Sequence, residues 1–378
     1  MTCYNSGMKL ASISLQHFRS YKKQVFSFAP TLILIVGPNT AGKTNILEAI
    51  YSASVGKSFR AEKDSDMVAW GEEVSRISAK ITNHKSQAPN TNNEDEETKL
   101  ELVLTTGMVQ GQRAPMKKYL VNGVARRQVD FVGNLHTVLF SPEDLDLVTD
   151  SPSLRRNYLN SVLVQVDREY RRNLFSYEKG LRQRNKLLFL INEGKASRSQ
   201  LLFWNQLLIK AGTYITESRR RFIESVNTFI FDDLTYHITY DPSIISEYRF
   251  LQYKEEEVAA KTTLVGPQRD DFRFEKTQDN EHETKQILRD VSRFGSRGEQ
   301  RLAVLWLKLA ELTFVEKETG TRPILLLDDI FSELDTESRD IVLSIIKEQQ
   351  TIITSAEDEA IVLVKKHDHA MVIELPLK

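Results

Sequence analysis

Residues 37–44 read Gly37-Pro38-Asn39-Thr40-Ala41-Gly42-Lys43-Thr44, set between the apolar run Leu32–Val36 and a helix-like segment opening at Asn45. A strand, a glycine-bounded loop and a helix, with Lys then Thr closing the loop, is the setting a phosphate-binding loop requires. Gly37 and Gly42 let the backbone turn tightly, so that successive N–H groups converge on one concavity. The helix N-terminus adds partial positive charge beneath it. Lys43 would reach the outer phosphates, and the Thr44 hydroxyl would sit on Mg²⁺. A plain glycine turn explains the letters but not both flanks. All eight residues are therefore candidate contacts for a nucleoside triphosphate.

The chain of 378 residues is long enough for two domains or lobes. Hydrophobic residues make up 40% and charged residues 27%, the balance of a globular protein in water. The formal net charge of −1 means that any nucleic-acid binding must rest on local basic patches. A single cysteine, Cys3, excludes a disulfide framework and a Cys-rich zinc site, and fits a reducing compartment. No apolar stretch is as long as a membrane span, and the N-terminus lacks a signal-peptide layout, so the expected location is the cytoplasm with no membrane partner. Residues 1–7 read as a leader, with Met8 an alternative start.

Patterning along the chain predicts an α/β fold in two parts. Short strands precede the loop, and its helix should stop at Gly56. Residues 74–82 and 99–106 alternate as a hairpin, with a polar tip at 85–98 that cannot bury apolar surface. Tyr119-Leu120-Val121, Asn122-Gly123 and Val124-Ala125 signal a second, tight hairpin. From Pro152 to about Phe231 the pattern is helical, fitting two long helices broken near Asn192-Glu193-Gly194. Strands return at Tyr236–Tyr240 and Phe272–Phe274, a helix near Glu299, a buried strand at Ile324–Leu327, a helix near Glu337, and strands at Thr351–Ile353 and Met371–Leu375. The predicted division is a head from 8–130 and 262–378, with 131–261 as an inserted helical lobe.

Ile324-Leu325-Leu326-Leu327-Asp328-Asp329 is an apolar strand ending in two carboxylates. At the carboxyl end of a buried strand, Asp328 can share Mg²⁺ with Thr44, and Asp329 can polarise an attacking water. A solvated acidic turn is the alternative; the upstream loop favours the metal site. The interval from Lys43 to Asp328 is 285 residues, far longer than in compact NTPases. Just before the strand, Phe294-Gly295-Ser296-Arg297-Gly298-Glu299-Gln300-Arg301 leads into an amphipathic helix. It reads either as an ordinary N-capped helix or as a second anion-binding element.

Ser296–Gln300 resembles the signature motif of ABC-type ATPases, and Ser332-Glu333-Leu334-Asp335 resembles their D-loop. With the loop and the Asp-Asp strand, they resemble an SMC-like ATPase head. The chain as a whole resembles the RecF family of bacterial recombination and repair proteins. The segments that carry this are Leu15–Tyr21, Gly37–Thr44, Gly56–Arg60, Tyr119–Gly123, Phe140–Leu145, Arg155-Arg156, Gly266–Asp271, Ser296–Arg301 and Leu327–Asp335. The resemblance implies an ABC/SMC-like P-loop ATPase head with an inserted helical lobe. It also implies ATP-driven homodimerisation, in which Ser296, Gly298 and Gln300 of one subunit close over ATP held by Lys43 and Thr44 of the other. Slow, DNA-dependent hydrolysis would release a clamp on duplex DNA or single/double-strand junctions, with RecR/RecO-type mediators as partners in recombinase loading. Asp329 stands where most ABC ATPases carry Glu. No switch histidine follows Thr351–Ser355, and no Q-loop glutamine is obvious, a place that Ser141–Asp144 fits.

Basic residues concentrate in three places. Arg113, Lys117, Lys118, Arg126 and Arg127 occupy an acid-free stretch between Leu102 and Val129. Residues 153–192 carry nine Lys/Arg against three acids, including Arg155, Arg156, Arg171 and Arg172. Arg219-Arg220-Arg221 follow. Each cluster alone reads as a solvated face. Beside an SMC-like head they are candidate contacts to DNA phosphates, with little sequence preference. A transporter-type ABC subunit fits poorly with the long interval and the basic insertion, and a long coiled coil lacks sustained heptads.

Overall fold

The computed structural model describes residues 7–83, 96–231, 234–278, 287–330, 336–346, 348–356, 361 and 370–376. Two compact units divide it: Met1–Asp144 with Glu311–Lys378, and Leu145–Ala310. Residues 1–6 of the leader, most of the 85–98 tip and the D-loop segment Ser332–Asp335 lie outside the described residues.

The first unit is built on two sheets. The parallel sheet has the strand order Thr137–Phe140, Ile324–Asp328, Thr351–Ser355, Leu32–Val36, Ala370–Glu374. Its first four strands are buried at every position, as expected of near-continuous apolar runs covered on both faces. The antiparallel sheet has the order Tyr21–Ser27, Met8–Phe18, Val74–Asn83, Glu96–Thr105, Lys117–Val121, Val124–Arg126. Its inner face carries Leu10, Ile13, Leu15, Ile77, Ala79, Ile81, Leu100, Leu102 and Leu104, all fully buried. Asn122 and Gly123, with φ of 52° and 77°, form the predicted tight turn between the last two strands.

Gln350, just ahead of the central strand Thr351–Ser355, joins the two sheets. Its amide donates to the carbonyls of Leu10, Phe28 and Pro30 at 3.0, 3.2 and 3.4 Å. Its Oε1 accepts from Leu10 N at 2.7 Å. The side chain is buried with Leu10 and Phe28, so their carbonyls and the Leu10 N–H have no water to turn to, while Pro30 is partly buried.

The second unit contains the helices Pro152–Val166, Arg168–Asn192 and Leu201–Asn227, and a sheet of Tyr236–Asp241, Asp271–Gln278 and Ile287–Asp290. Three helices stand where two were expected. The additional break falls at Asp167, whose carboxylate accepts from Glu169 N at 2.8 Å and Tyr170 N at 2.9 Å and so caps the second helix.

The expected boundaries at 130 and 262 also move. Thr137–Phe140 pairs in parallel with Ile324–Leu327, which keeps it in the first unit. A threonine and three apolar residues without alternation give no strand signal of their own. The strand Asp271–Gln278 and the start of the helix Arg297–Thr319 group with the helices instead. Among the described residues, no helix is long and apolar enough to cross a membrane.

Candidate nucleotide-binding site

The helix Lys43–Val55 begins at Gly42, where φ is 100°, with no side chain capping it and no acid in its first turn. Thr40 also takes a positive φ of 75°. Ala41 N closes the turn onto the Pro38 carbonyl at 3.1 Å. A Cβ on Gly37 would stand 2.8 Å from the Leu375 carbonyl, so the loop's first glycine is fixed by the edge strand beside it. Lys43 Nζ folds over this loop and donates to the carbonyls of Gly37 at 2.7 Å and Pro38 at 3.2 Å. Tyr21 braces the turn from the antiparallel sheet, donating its hydroxyl to the Gly42 carbonyl at 3.0 Å.

Across from the loop, Thr44 Oγ1 donates to Asp328 Oδ1 at 3.0 Å. The same oxygen accepts from Thr354 Oγ1 at 2.6 Å. Asp328 is buried, and burial pushes its carboxyl above the ordinary range despite these two hydroxyls, with Glu143 adding in the same direction. Asp329 adopts φ of 50°, an uncommon conformation that Asp tolerates better than most residues. Its N–H is held by the carbonyl and hydroxyl of Thr354, both at 3.1 Å. Thr354 therefore seats both acids. A polar residue within the buried strand Thr351–Ser355 was the signal in the sequence, read there only for a missing histidine.

One turn into the helix, Glu48 is fully buried. Arg19 reaches it through Nε at 2.9 Å and Nη2 at 2.6 Å, Arg60 through Nε at 3.1 Å and Nη2 at 2.8 Å, and Ser58 Oγ at 2.6 Å. Burial alone would raise its pKa, but the hydrogen bonds from Arg19, Arg60 and Ser58 outweigh that and leave it lowered. Arg60 also bonds Asn45, and Asn45 bonds Ser20 at 3.0 Å. These residues explain why the segments Leu15–Tyr21 and Gly56–Arg60 accompany the loop. Motif spacing could not reveal them, because only the fold brings both segments to one helix face.

The donor set fits a triphosphate with a divalent cation. The helix start is uncapped and free of acid, and a Lys lies over the loop. A hydroxyl meets a buried carboxylate that has no positive partner within hydrogen-bonding reach among the described residues. Ser141–Asp144 follows Thr137–Phe140, the strand beside Asp328, and Ser141 N donates to Asp144 Oδ2 at 2.8 Å.

The signature segment lies in the second unit. Ser296 Oγ accepts from Glu299 N at 3.2 Å while Glu299 Oε2 accepts from Ser296 N at 2.9 Å, a reciprocal cap on the helix Arg297–Thr319. The Ser296 bond comes first among the causes that lower the Glu299 pKa, with help from Lys276 and Arg289. Gln300 Nε2 donates to the Val291 carbonyl at 3.3 Å. Among the described residues, a Cβ added at Gly298 would meet only Ser296 Oγ, at 3.8 Å.

The basic candidates separate by environment. Lys117 Nζ donates to the Gly56 carbonyl and pairs with Asp64, both at 2.7 Å, and burial lowers its pKa. Arg155 is buried against Asp271 at 2.6 and 3.1 Å and also bonds the Leu147 and Asp150 carbonyls. Arg171 closes the end of the preceding helix on the Val164 carbonyl at 2.5 Å. These three are committed to the fold. Lys118, Arg126, Arg127 and Arg172 are exposed, the last two beside Asp130 and Glu169.

The family model for the RecF/RecN/SMC N-terminal domain matches residues 9–373. A DNA replication and repair protein RecF from Herpetosiphon aurantiacus is 35% identical, over 93% of this chain and 94% of the relative. The chain belongs to the RecF family. Another RecF, from Lachnoclostridium phytofermentans, is 33% identical over 92% of each chain. A solved structure described as the recombination mediator protein RecF with ATP in the RecFOR pathway matches with TM-score 0.79 and 29% identity, covering 95% of both chains. The RecF resemblance, and the ATPase-head fold expected from it, are borne out.

Proposed function

We propose that this RecF-family protein is an ATP-dependent DNA-binding protein of replication and repair, which dimerises as a clamp on duplex DNA near single-strand gaps. The observation that carries the reading is the Thr44–Asp328 contact facing an uncapped loop. It joins the two ends of a triphosphate site that lie far apart in the sequence.

In this reading Gly37–Thr44 binds ATP through backbone N–H groups, and Lys43 leaves its loop carbonyls for the outer phosphates. Thr44 and Asp328 would hold Mg²⁺, which when bound offsets phosphate charge. Asp329 orients the attacking water and accepts its proton as the oxygen bonds to the γ-phosphorus and the bond to ADP breaks. Ser296, still free to donate its hydroxyl hydrogen while capping its helix, meets the γ-phosphate of a second copy, with Gly298 leaving room for the approach and Gln300 beside it. Hydrolysis is weak and DNA-dependent and serves release. Lys118, Arg126, Arg127, Arg156 and Arg172 supply the DNA contacts, and RecR/RecO-type mediators meet the clamp in the cytoplasm.

Sedimentation velocity of wild type and Lys43→Ala, with ATP, Mg²⁺ and duplex DNA, tests this. The wild type is expected to shift from monomer to DNA-bound dimer. Lys43→Ala is expected to stay monomeric, with nucleotide affinity at least about tenfold lower, or about 1.4 kcal/mol. A wild type that remains monomeric with all three ligands overturns the clamp.

A further inference from the structure

The hexapeptide Gly266-Pro267-Gln268-Arg269-Asp270-Asp271 plays no part in the nucleotide site, and five of its residues are absorbed by the fold of the second unit. Gly266 has φ of 117°, and a Cβ there would fall 2.2 Å from the Tyr177 hydroxyl. The Pro267 carbonyl accepts from Arg219 Nη1 at 2.7 Å. Gln268 donates to the Val265 carbonyl at 2.9 Å and accepts from Tyr177. Asp270, fully buried, accepts from Arg219 at 2.7 Å, from Ser243 N at 2.7 Å and from the Tyr240 hydroxyl. Asp271 takes the paired bonds of Arg155.

Arg269 is the exception. It is exposed, its Nε donates to the Thr263 carbonyl at 3.2 Å, and no described carboxylate pairs with it. Arg156 reaches the same cleft from the helix Pro152–Val166, with Nη1 on the Asp270 carbonyl at 3.0 Å. The cleft encloses about 500 Å³. Ser151, Ser153, Asn185 and Thr262 line it with the two arginines, and no described carboxylate does. The nearby acids are turned away, Asp270 to Arg219 and Asp271 to Arg155. Burial, then the charge of Arg219, lowers the Arg156 pKa, as expected of a cation held beside other cations.

We propose that this cleft holds a phosphate of a DNA backbone, with Arg156 and Arg269 as its two cations and the hydroxyl and amide groups as neutral donors. Fork-shaped guanidiniums match a tetrahedral phosphate, and neutral donors fill the remaining oxygens. The inference rests on the DNA-binding reading above and gives it a specific place. The other five residues of the hexapeptide then act as the frame that presents Arg269.

Fluorescence anisotropy of a labelled duplex across a salt series tests it, with wild type, Arg156→Gln/Arg269→Gln and Arg156→Lys/Arg269→Lys. The Gln pair is expected to bind about tenfold more weakly, with a plot of log K against log salt shallower by roughly 0.9, since one phosphate contact is lost. The Lys pair is expected to keep the wild-type slope; an equal loss in both pairs would mean damage to the fold and overturn the assignment. Unchanged affinity and slope in the Gln pair overturn the cleft and leave DNA binding standing. A wild type that binds no duplex overturns the DNA reading and the cleft with it. If inorganic phosphate raises the unfolding temperature of wild type but not of the Gln pair, while duplex binding is equal in both, the cleft serves free phosphate and the proposal fails.

Discussion

Asp328→Asn should unfold later than the wild type when no nucleotide is present, and should lose the added stability that Mg²⁺ and ATP together confer. The amide keeps an oxygen for the Thr44 and Thr354 hydroxyls, at 3.0 and 2.6 Å in the wild type, but carries no charge to desolvate. Burial has already pushed the Asp328 carboxyl above its ordinary value of 3.8. An acid whose folded pKa is raised holds its proton more tightly in the folded state, so the wild type loses stability as pH rises from about that value to the folded pKa. Thermal unfolding should therefore show the two proteins equal at low pH, with the gap opening through that interval and then staying constant. With Mg²⁺–ATP the order should reverse, and Mg²⁺-dependent nucleotide affinity should fall by about 100-fold or more. A variant that is less stable without ligand, or equally stabilised by Mg²⁺–ATP, would refute the account of Asp328 as a carboxylate held in readiness for a cation.

Gln350→Leu should be the most damaging single change to the fold among the residues described. It removes the amide shared by Leu10, Phe28 and Pro30 and leaves the Leu10 N–H and the Leu10 and Phe28 carbonyls buried without it, together with the part-buried Pro30 carbonyl. At about 1–3 kcal/mol for each orphaned buried group, with some sharing among the carbonyls, the loss should reach roughly 3–5 kcal/mol. Against a typical total of about 5–15 kcal/mol, that lowers the urea midpoint by roughly a fifth or more with little change in slope. Equilibrium unfolding followed by tryptophan fluorescence reads it directly. A loss within about 0.5 kcal/mol would mean that the two sheets hold together without this amide.

Much of the nucleotide site was legible because its parts are local. The loop announces itself by glycines between a strand and a helix, and the Asp-Asp pair by its place after an apolar run. What joins them is non-local. Thr354 sits between the two acids only because its strand lies between Leu32–Val36 and Ile324–Asp328 in the sheet. Glu48 reads as an ordinary helix residue until Arg19 and Arg60 arrive from separate turns. Among the basic residues, Lys117 and Lys118 are adjacent in sequence, yet strand alternation sends one to Asp64 and the other to solvent. Composition counts charges; it does not say which are already neutralised. The strand Thr137–Phe140 was missed for a related reason, since so short a run becomes a strand only when Ile324–Leu327 lies alongside.

The resting position of Lys43 also has a consequence for which nucleotide is admitted. Its ammonium already has two carbonyl acceptors, Gly37 and Pro38, so an incoming phosphate must offer more than the loop's own oxygens do. In the proposed reading a chain of three phosphates would reach the ammonium and the Thr44–Asp328 end together and displace it from those carbonyls. A monophosphate reaches only the helix start and leaves the lysine where it is. In that reading the loop thus sets a threshold by phosphate length and favours a nucleotide able to span its full reach.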